Sequence, residues 1–351
     1  MKMSHLKYAL FLTPVGTPNY LLWQMGLVLL VAICFIAMPQ LPPIDWALNT
    51  QGFWADIPHT YLSNANFVYP PWGLILLLPY YAIGAEGSRV LSVLVVGWLA
   101  YSRRWSFYFF FLVILSPYFI VTMSKSNMDI LVTLLPLLLW ETAKGKRWEV
   151  PVRGFAIAMM LLKPQITALV ILYLLWKSRL EWKKVLKSLG VTALFVVPIS
   201  LVGSPMLIWQ WLDNLRHPSE QNQFFWSINN VSLTTRFGVW IGLGLLALAI
   251  ILVWWLWRKR LIAWSGDLTI ASLLLASMFL LPYSSQQSFS SGLAFLPTGL
   301  GFGLQWLVVS FGLLSNTYLG HISEWTFGIA LLCLLFAAFQ LRKHPIPPQA
   351  E

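Results

Sequence analysis

The sequence predicts an all-α, polytopic integral membrane protein of about twelve transmembrane helices, on three observations. Of its 351 residues 58% are hydrophobic and only 10% are charged, where a soluble domain carries about 25% charged residues. Near-continuous apolar runs such as Tyr20 to Met38 and Phe237 to Trp257 match the roughly 20 residues a helix needs to cross hydrocarbon. Lys and Arg fall in short clusters between those runs, the pattern of cytoplasmic loops. The net charge of +11 therefore reads as a topology signal rather than a nucleic-acid footprint, and membrane lipids are the expected neighbours. Trp and Tyr gather near the ends of the runs, where an amphipathic ring rests at the headgroup level.

Lys2 and Lys7 place the N-terminus in the cytoplasm, with a retained first span from Tyr20 to Met38 running outward. No Lys or Arg follows until Arg89, so residues 39–87 form a large outer loop. Within it, 70–84 is apolar but short and bounded by prolines, an outer-surface helix, and 88–102 is the second span. Residues 106–122 run outward and 127–143 inward, to an inside loop carrying Lys144, Lys146, Arg147 and Arg153. Phe155 to Trp176 has the length of one span, yet a second basic cluster (Lys177, Arg179, Lys183, Lys184, Lys187) follows it. Cations on both flanks demand an even number of crossings. Two short helices broken at Lys163-Pro164 meet that demand, because proline cannot continue the hydrogen-bond ladder and its predecessor avoids the helical region. Lys163 then sits at an outward-facing tip; at the centre of an isolated span a lysine would cost about 2.5 to 3.5 kcal/mol.

Leu186 to Gly203 is the next span, 204–235 an outer loop, and an inward span ends at Arg258-Lys259-Arg260. Ala263 to Pro282 goes out, 283–291 is a polar outer turn, and three pieces broken near Gly299, Gly301, Gly303 and again near 319–323 return Arg342-Lys343 to the cytoplasm. The chain thus divides into a module over 1–203, with its first outer loop at 39–87, and a set of helices over 204–351 with the outer loop 204–235. Cys34 and Cys333 lie inside apolar runs and offer neither a disulfide framework nor a thiolate metal site.

With this topology the outer face holds few charges, among them Asp45, Asp56, Arg89, Asp129, Lys163, Arg216 and Arg236. One or two carboxylates opposite several cations at a lipid-accessible surface suit a reaction on a lipid-linked phosphate. A carboxylate takes the proton of an attacking hydroxyl, while Lys or Arg stabilises the charge on a departing phosphate. Asp45, Asp129 and Asp56 are the candidate catalytic acids, and Lys163, Arg216, Arg236 and Arg89 the candidate phosphate partners. Tyr69, Pro70, Asn127, His59 and Asn230 are candidates for the substrate cavity. Each has a structural counterpart: Asp45 as a helix cap, Asp56 before Ile57-Pro58 as a turn residue, Asp129 as a charge favoured by a helix N-terminus, and the arginines as headgroup anchors. There is no glycine-rich phosphate loop and no HExxH helix, and His59 and His217 lack a second histidine at ligand spacing. No cofactor is expected, and a divalent metal, though compatible with such chemistry, has no support in residue spacing.

The order of features also resembles a known family. Ile44-Asp45-Trp46 in the first outer loop, then Tyr69-Pro70-Pro71-Trp72 and an apolar helix ending in Pro79, looks like the start of the polyprenol-phosphate-dependent GT-C glycosyltransferases, and is most similar to their family 87 branch, which includes mannosyltransferases. Ser126-Asn127-Met128-Asp129, the Arg153-Gly154 to Leu162-Lys163-Pro164 hairpin and Asn229-Asn230-Val231-Ser232-Leu233 resemble later landmarks, so that the likeness covers about residues 40 to 235. It implies a GT-C-type fold in a bacterial plasma membrane, Asp45 as general base toward the acceptor hydroxyl and Lys163 near the donor phosphate. It also implies Tyr69-Pro70-Pro71 fixing the helix that roofs the cavity. Donor and acceptor would be a polyprenyl-phosphate sugar, mannose or similar, and a glycolipid or glycan hydroxyl, joined with inversion on the non-cytoplasmic face. Where family members carry a Gly-Gln-Val-Asn run this chain has Lys125-Ser126-Asn127-Met128-Asp129, a departure that leaves donor specificity and metal requirement open. Two other classes share parts of the pattern: a lipid or solute transporter or flippase, for which an inverted repeat is wanting, and an envelope glycan polymerase or ligase, whose dominant outer loop is expected late in the chain.

Overall fold

The computed structural model describes residues 69–103, 105, 107–201, 206–217, 230–282, 284, 288–296, 304–305 and 322–343, together with 26 and 29. Among the described residues helices dominate and no β-strand is present. They cluster into two units: one holds the described parts of Thr17–Arg103 and Ile120–Ser227, the other those of Met1–Gly16, Arg104–Phe119 and Ile228–Glu351.

The first unit begins where Pro70 and Pro71 offer their carbonyls to the opening amides of α1 (Gly73–Leu76), at 2.8 and 3.1 Å. Helices α2 (Leu78–Ala82) and α3 (Gly84–Ser102) follow, and the pair formed by Gly73–Ala82 and Gly84–Ser102 is bent by 97°. Gly84 carries that bend with φ of +73°, a backbone state in which any Cβ would be strained. The expected proline-bounded helix followed by a longer apolar helix is what the chain forms here. Residues 106–122, expected as one span, are instead two helices, α4 (Phe107–Ile114), which belongs to the second unit, and α5 (Pro117–Ser124), within which the chain passes back into the first. Pro117 is the cause: it cannot donate to the ladder, and Ser116 before it turns its hydroxyl back to the Val113 carbonyl at 2.8 Å.

Helix α6 (Asp129–Ala143) is buried along most of its length and packs on α3 and on α7 (Glu149–Met160). Helix α8 (Pro164–Lys177) starts after a break in which Lys163 occupies the N-cap position and Pro164 the first helical one, where a missing N–H costs nothing. The run from Phe155 to Trp176 is thus two helices divided at the residues the charge pattern singled out. A short 3₁₀ turn, Arg179–Glu181, leads into α9 (Trp182–Leu201). Gly154 lets α9 lie directly on α7, since a Cβ there would fall 2.6 Å from the Ser188 carbonyl oxygen, and Thr192 donates to the Gly154 carbonyl at 2.9 Å across the contact. The expected outer loop 204–235 contains a further helix, α10 (Leu207–Arg216).

In the second unit α11 (Leu233–Phe237) packs on α12 (Val239–Arg258), α13 (Gly266–Leu280) and α15 (Ile322–Lys343), and α14 (Phe289–Leu293) on α13. Helix α12 is apolar on every side and leaves Trp240 85% and Ile250 65% exposed, an arrangement that water does not tolerate and lipid does. By length and composition α12 and the Glu324–Lys343 part of α15 can cross a membrane, and the bent pair at Gly84 makes a third. About twelve spans were expected from the apolar runs and the charge between them; among the described residues α4 with α5 divide a run expected as one span, and α8 and α13 are shorter apolar helices.

Candidate active site

Three segments of the first unit converge on one charge pair. Asp129 opens α6, where the helix dipole favours a negative charge, and its side chain is fully buried. Lys163, at the break between α7 and α8, forms an ion pair with Asp129 Oδ1 and keeps 12% of its side chain exposed. Tyr69, buried just before α1, lies under the ammonium with its ring centroid 5.5 Å from Nζ, within cation–π range. The lysine is thus held on two sides and open on the remainder. Thr167 tightens the break by donating to the carbonyls of Met160 and Lys163 at 2.6 and 3.0 Å.

The segment that delivers Asp129 is itself fixed from α2 and α3. The buried Arg89 guanidinium donates through Nε to the Met123 carbonyl at 2.9 Å and through a terminal nitrogen to the Ser124 carbonyl at 2.7 Å, at the C-terminal end of α5, where a cation suits the dipole. Tyr80 donates to the Ser126 carbonyl, and the Ser126 hydroxyl reaches the Ala85 carbonyl at 3.3 Å. Ser126 adopts φ of +51°, a state side chains rarely take, and these contacts hold it there. Asn127 then accepts the Asp129 amide on Oδ1 at 2.8 Å, an Asx turn that aims the first residue of α6.

The residues expected from sequence therefore separate. Lys163, Asp129 and Tyr69 come together, Asn127 supports Asp129, and Pro70 starts α1 by accepting from the Gly73 amide. Arg89, expected at the donor phosphate, has two of its donor groups committed to backbone carbonyls. Arg216 is exposed near the end of α10, beside an exposed His217–Asp213 pair at 3.0 Å. Arg236 and Asn230 belong to the other unit: Arg236 Nε donates to Glu324 at 3.2 Å, and Asn230 accepts the Ser232 amide at 2.9 Å in the turn that begins α11. Asp45, Asp56 and His59 lie outside the described residues. Tyr80, Ser126 and Thr167 were not singled out from sequence: a phenol in an apolar run carries no spacing signal, and the positive φ of a serine leaves none.

Apolar helices exposed along their sides, such as α12, and in the first unit a buried Asp129–Lys163 pair are the features of an integral membrane protein with a polar site. The family model Glycosyltransferase family 87 matches residues 67–283, more than half of the chain, and the chain belongs to that family: it is a membrane glycosyltransferase. Tyr69, Arg89, Asp129 and Lys163 fall inside the matched segment, and Asp45, Asp56 and His59 before it. No curated protein and no solved structure matches the chain.

Proposed function

We propose that the enzyme transfers a sugar, mannose or a similar pentose or hexose, from a polyprenyl-phosphate donor to a hydroxyl of a lipid-linked or glycan acceptor, with inversion and on the non-cytoplasmic face. The observation that carries this reading is the lysine of the α7–α8 break, paired with a fully buried aspartate yet still partly open, inside the family 87 match. The acceptor oxygen attacks the anomeric carbon and forms the new C–O bond. The bond from that carbon to the phosphate oxygen breaks with its electron pair, and polyprenyl phosphate leaves against the open side of Lys163. Asp45 takes the acceptor proton. Asp129 holds the ammonium in place, so that the countercharge is ordered before the donor arrives and little reorganisation accompanies bond breaking. Arg216 assists at the phosphate, and a lipid tail reaches the site sideways from the bilayer.

The test is reconstitution of the purified protein with radiolabelled polyprenyl-phosphate sugars and a panel of glycolipid acceptors, comparing wild type with Asp45→Asn and Lys163→Met. Transfer by wild type and its loss in both variants is the expected result. Full activity in Asp45→Asn removes the assigned base, and relocation of labelled lipid between leaflets without a new glycosidic bond replaces the reading with a transporter.

A further inference from the structure

Beside Lys163 the first unit holds a second polar feature that the proposed step leaves unused. Helix α1 lies against the α7–α8 break: a Cβ on Gly73 would stand 3.2 Å from Tyr69 Cβ and 3.4 Å from a Leu162 methyl, the residue before Lys163. Trp72, immediately before Gly73, meets Trp211 of α10 edge to face, with ring centroids 5.8 Å apart and planes at 66°. The two segments joined by that contact each hold a buried polar atom without a hydrogen-bond partner among the described residues: Trp72 Nε1, a donor, and Oε1 of Gln210, the residue before Trp211, an acceptor. A buried group left unmade forfeits the hydrogen bond water would give it, so the pair marks a place where something polar belongs.

The chemistry of the two atoms narrows what that is. A phosphate accepts but does not donate, so it would answer Trp72 and leave Gln210 unanswered; a polyprenyl chain answers neither. An alcohol does both at once, donating through O–H and accepting on its lone pairs. Neighbouring hydroxyls on a pyranose ring, whose C–H face is apolar, match an indole N–H that donates and an amide oxygen that accepts. We propose that Trp72 and Gln210 form the subsite for the acceptor sugar, with ring hydroxyls accepting from Trp72 Nε1 and donating to Gln210 Oε1, and that Trp211 fixes Trp72 for this purpose. The inference rests on the glycosyl-transfer reading above, and it places the acceptor beside a residue three positions along the chain from Tyr69, the residue under the lysine.

The experiment uses the full chain in lipid nanodiscs and two probes, octyl α-D-mannopyranoside and polyprenyl monophosphate without sugar, with binding read by saturation-transfer NMR. Trp72→Phe keeps the ring and deletes the N–H; Gln210→Met keeps the length and deletes the acceptor. Each is expected to weaken mannoside binding about five- to tenfold, the worth of one hydrogen bond, and to leave polyprenyl monophosphate binding and the thermal midpoint unchanged. Wild-type mannoside affinity in both variants overturns the subsite, as does an equal loss of both probes, which would make the residues supports of the fold. Absence of mannoside binding by the wild type, with octyl glucoside and octyl galactoside equally inert, overturns it too. Selective loss of mannoside binding in the variants, beside a wild type that transfers no sugar from any polyprenyl-phosphate donor, upholds the subsite and removes the donor reading alone.

Discussion

The helical pair α7–α8 carries an acid–base cluster at each end, half-exposed at the basic end and buried at the break, and the two are built to different effect. At the basic end Glu149 meets Arg153 at 2.7 Å and Lys184 at 3.2 Å, while Glu181 joins Arg153 at 3.4 Å and Lys184 at 3.3 Å. Arg153 also covers the Trp140 ring at 4.8 Å, and the Gly145 amide donates to Glu149 at 3.2 Å. Two acids face two bases, and the ring and the amide add further contacts. At the break, Asp129 and Lys163 are one acid and one base, with the acid fully enclosed and the base left 12% open. Charges that pair off among themselves tie helices and loops together. A charge pair that leaves part of its base uncovered can meet a ligand, and this one lies where α7 ends and α6 and α8 begin.

The sharpest way to break that comparison is to remove Lys163. Lys163→Met strands the Asp129 carboxylate in a dry site, and breaking a buried pair in this way costs about 3 to 5 kcal/mol of stability. Transfer is expected to fall by roughly a hundredfold or more, the scale of losing one positioned electrostatic group. The double variant Asp129→Leu, Lys163→Met separates the two roles, since replacing both charges by apolar groups of similar volume is often neutral. Its thermal midpoint in detergent is expected to return toward wild type while transfer stays lost. Return of transfer along with stability would reduce the pair to architecture and make both ends alike.

Arg89 ranks next. Arg89→Met removes two charge-assisted bonds to the carbonyls of Met123 and Ser124, an expected loss of about 3 kcal/mol. Because the left-handed Ser126 and the Asx turn at Asn127 depend on that segment, kcat is expected to fall about tenfold with the donor KM unchanged. A rise in donor KM at constant kcat would return Arg89 to the phosphate-binding role its sequence position suggested. Glu149→Gln should cost less, about 2 kcal/mol and below the usual range for a buried pair because Glu181 still faces Arg153. Transfer per folded molecule is expected to stay at the wild-type level, which an activity assay normalised to folded protein reads directly.

How much of this was visible beforehand follows the same division. The α7–α8 break was legible because charge on both flanks and a proline are sequence facts with one topological solution, and Lys163 came with it. Asp129 was legible as a residue but not as the partner of Lys163, because the pairing depends on α6 and α7 packing side by side. The α4–α5 break at Pro117 had the same proline signal, yet no charge marked it, and hydropathy averaged over it. Arg89 stands out in the sequence as an arginine after a long stretch without cations, which suggests a phosphate ligand, whereas the carbonyls of Met123 and Ser124 that it reaches are brought to it only by the fold. The break after the apolar run 70–84 lies at Gly84, whose positive φ has no spacing signal of its own, and α10 went unseen in what read as a loop.

The smallest expected effect is one of pH, and it belongs to the basic end. Burial of Glu149 works to raise its carboxyl, but Lys184, Arg153 and the Gly145 amide together outweigh it and hold the carboxyl below the usual carboxylate range. A group depressed in the folded state binds its proton more readily when unfolded. Its contribution to stability is therefore complete above the unfolded value, near 4.3, and is lost as pH falls through the lower folded one. Between pH 7 and about 5 this group's full contribution is present and gives the thermal midpoint no pH dependence, and below about 4.5 the midpoint should decline. Glu149→Gln, which has no proton to take up, should start lower and decline less steeply over the same interval, so that the two melting curves converge as the medium becomes acid. Parallel declines in the two proteins would mean that Glu149 is not held ionised by its neighbours, and the basic end would lose the feature that sets it against the other: a charge balance complete within the protein.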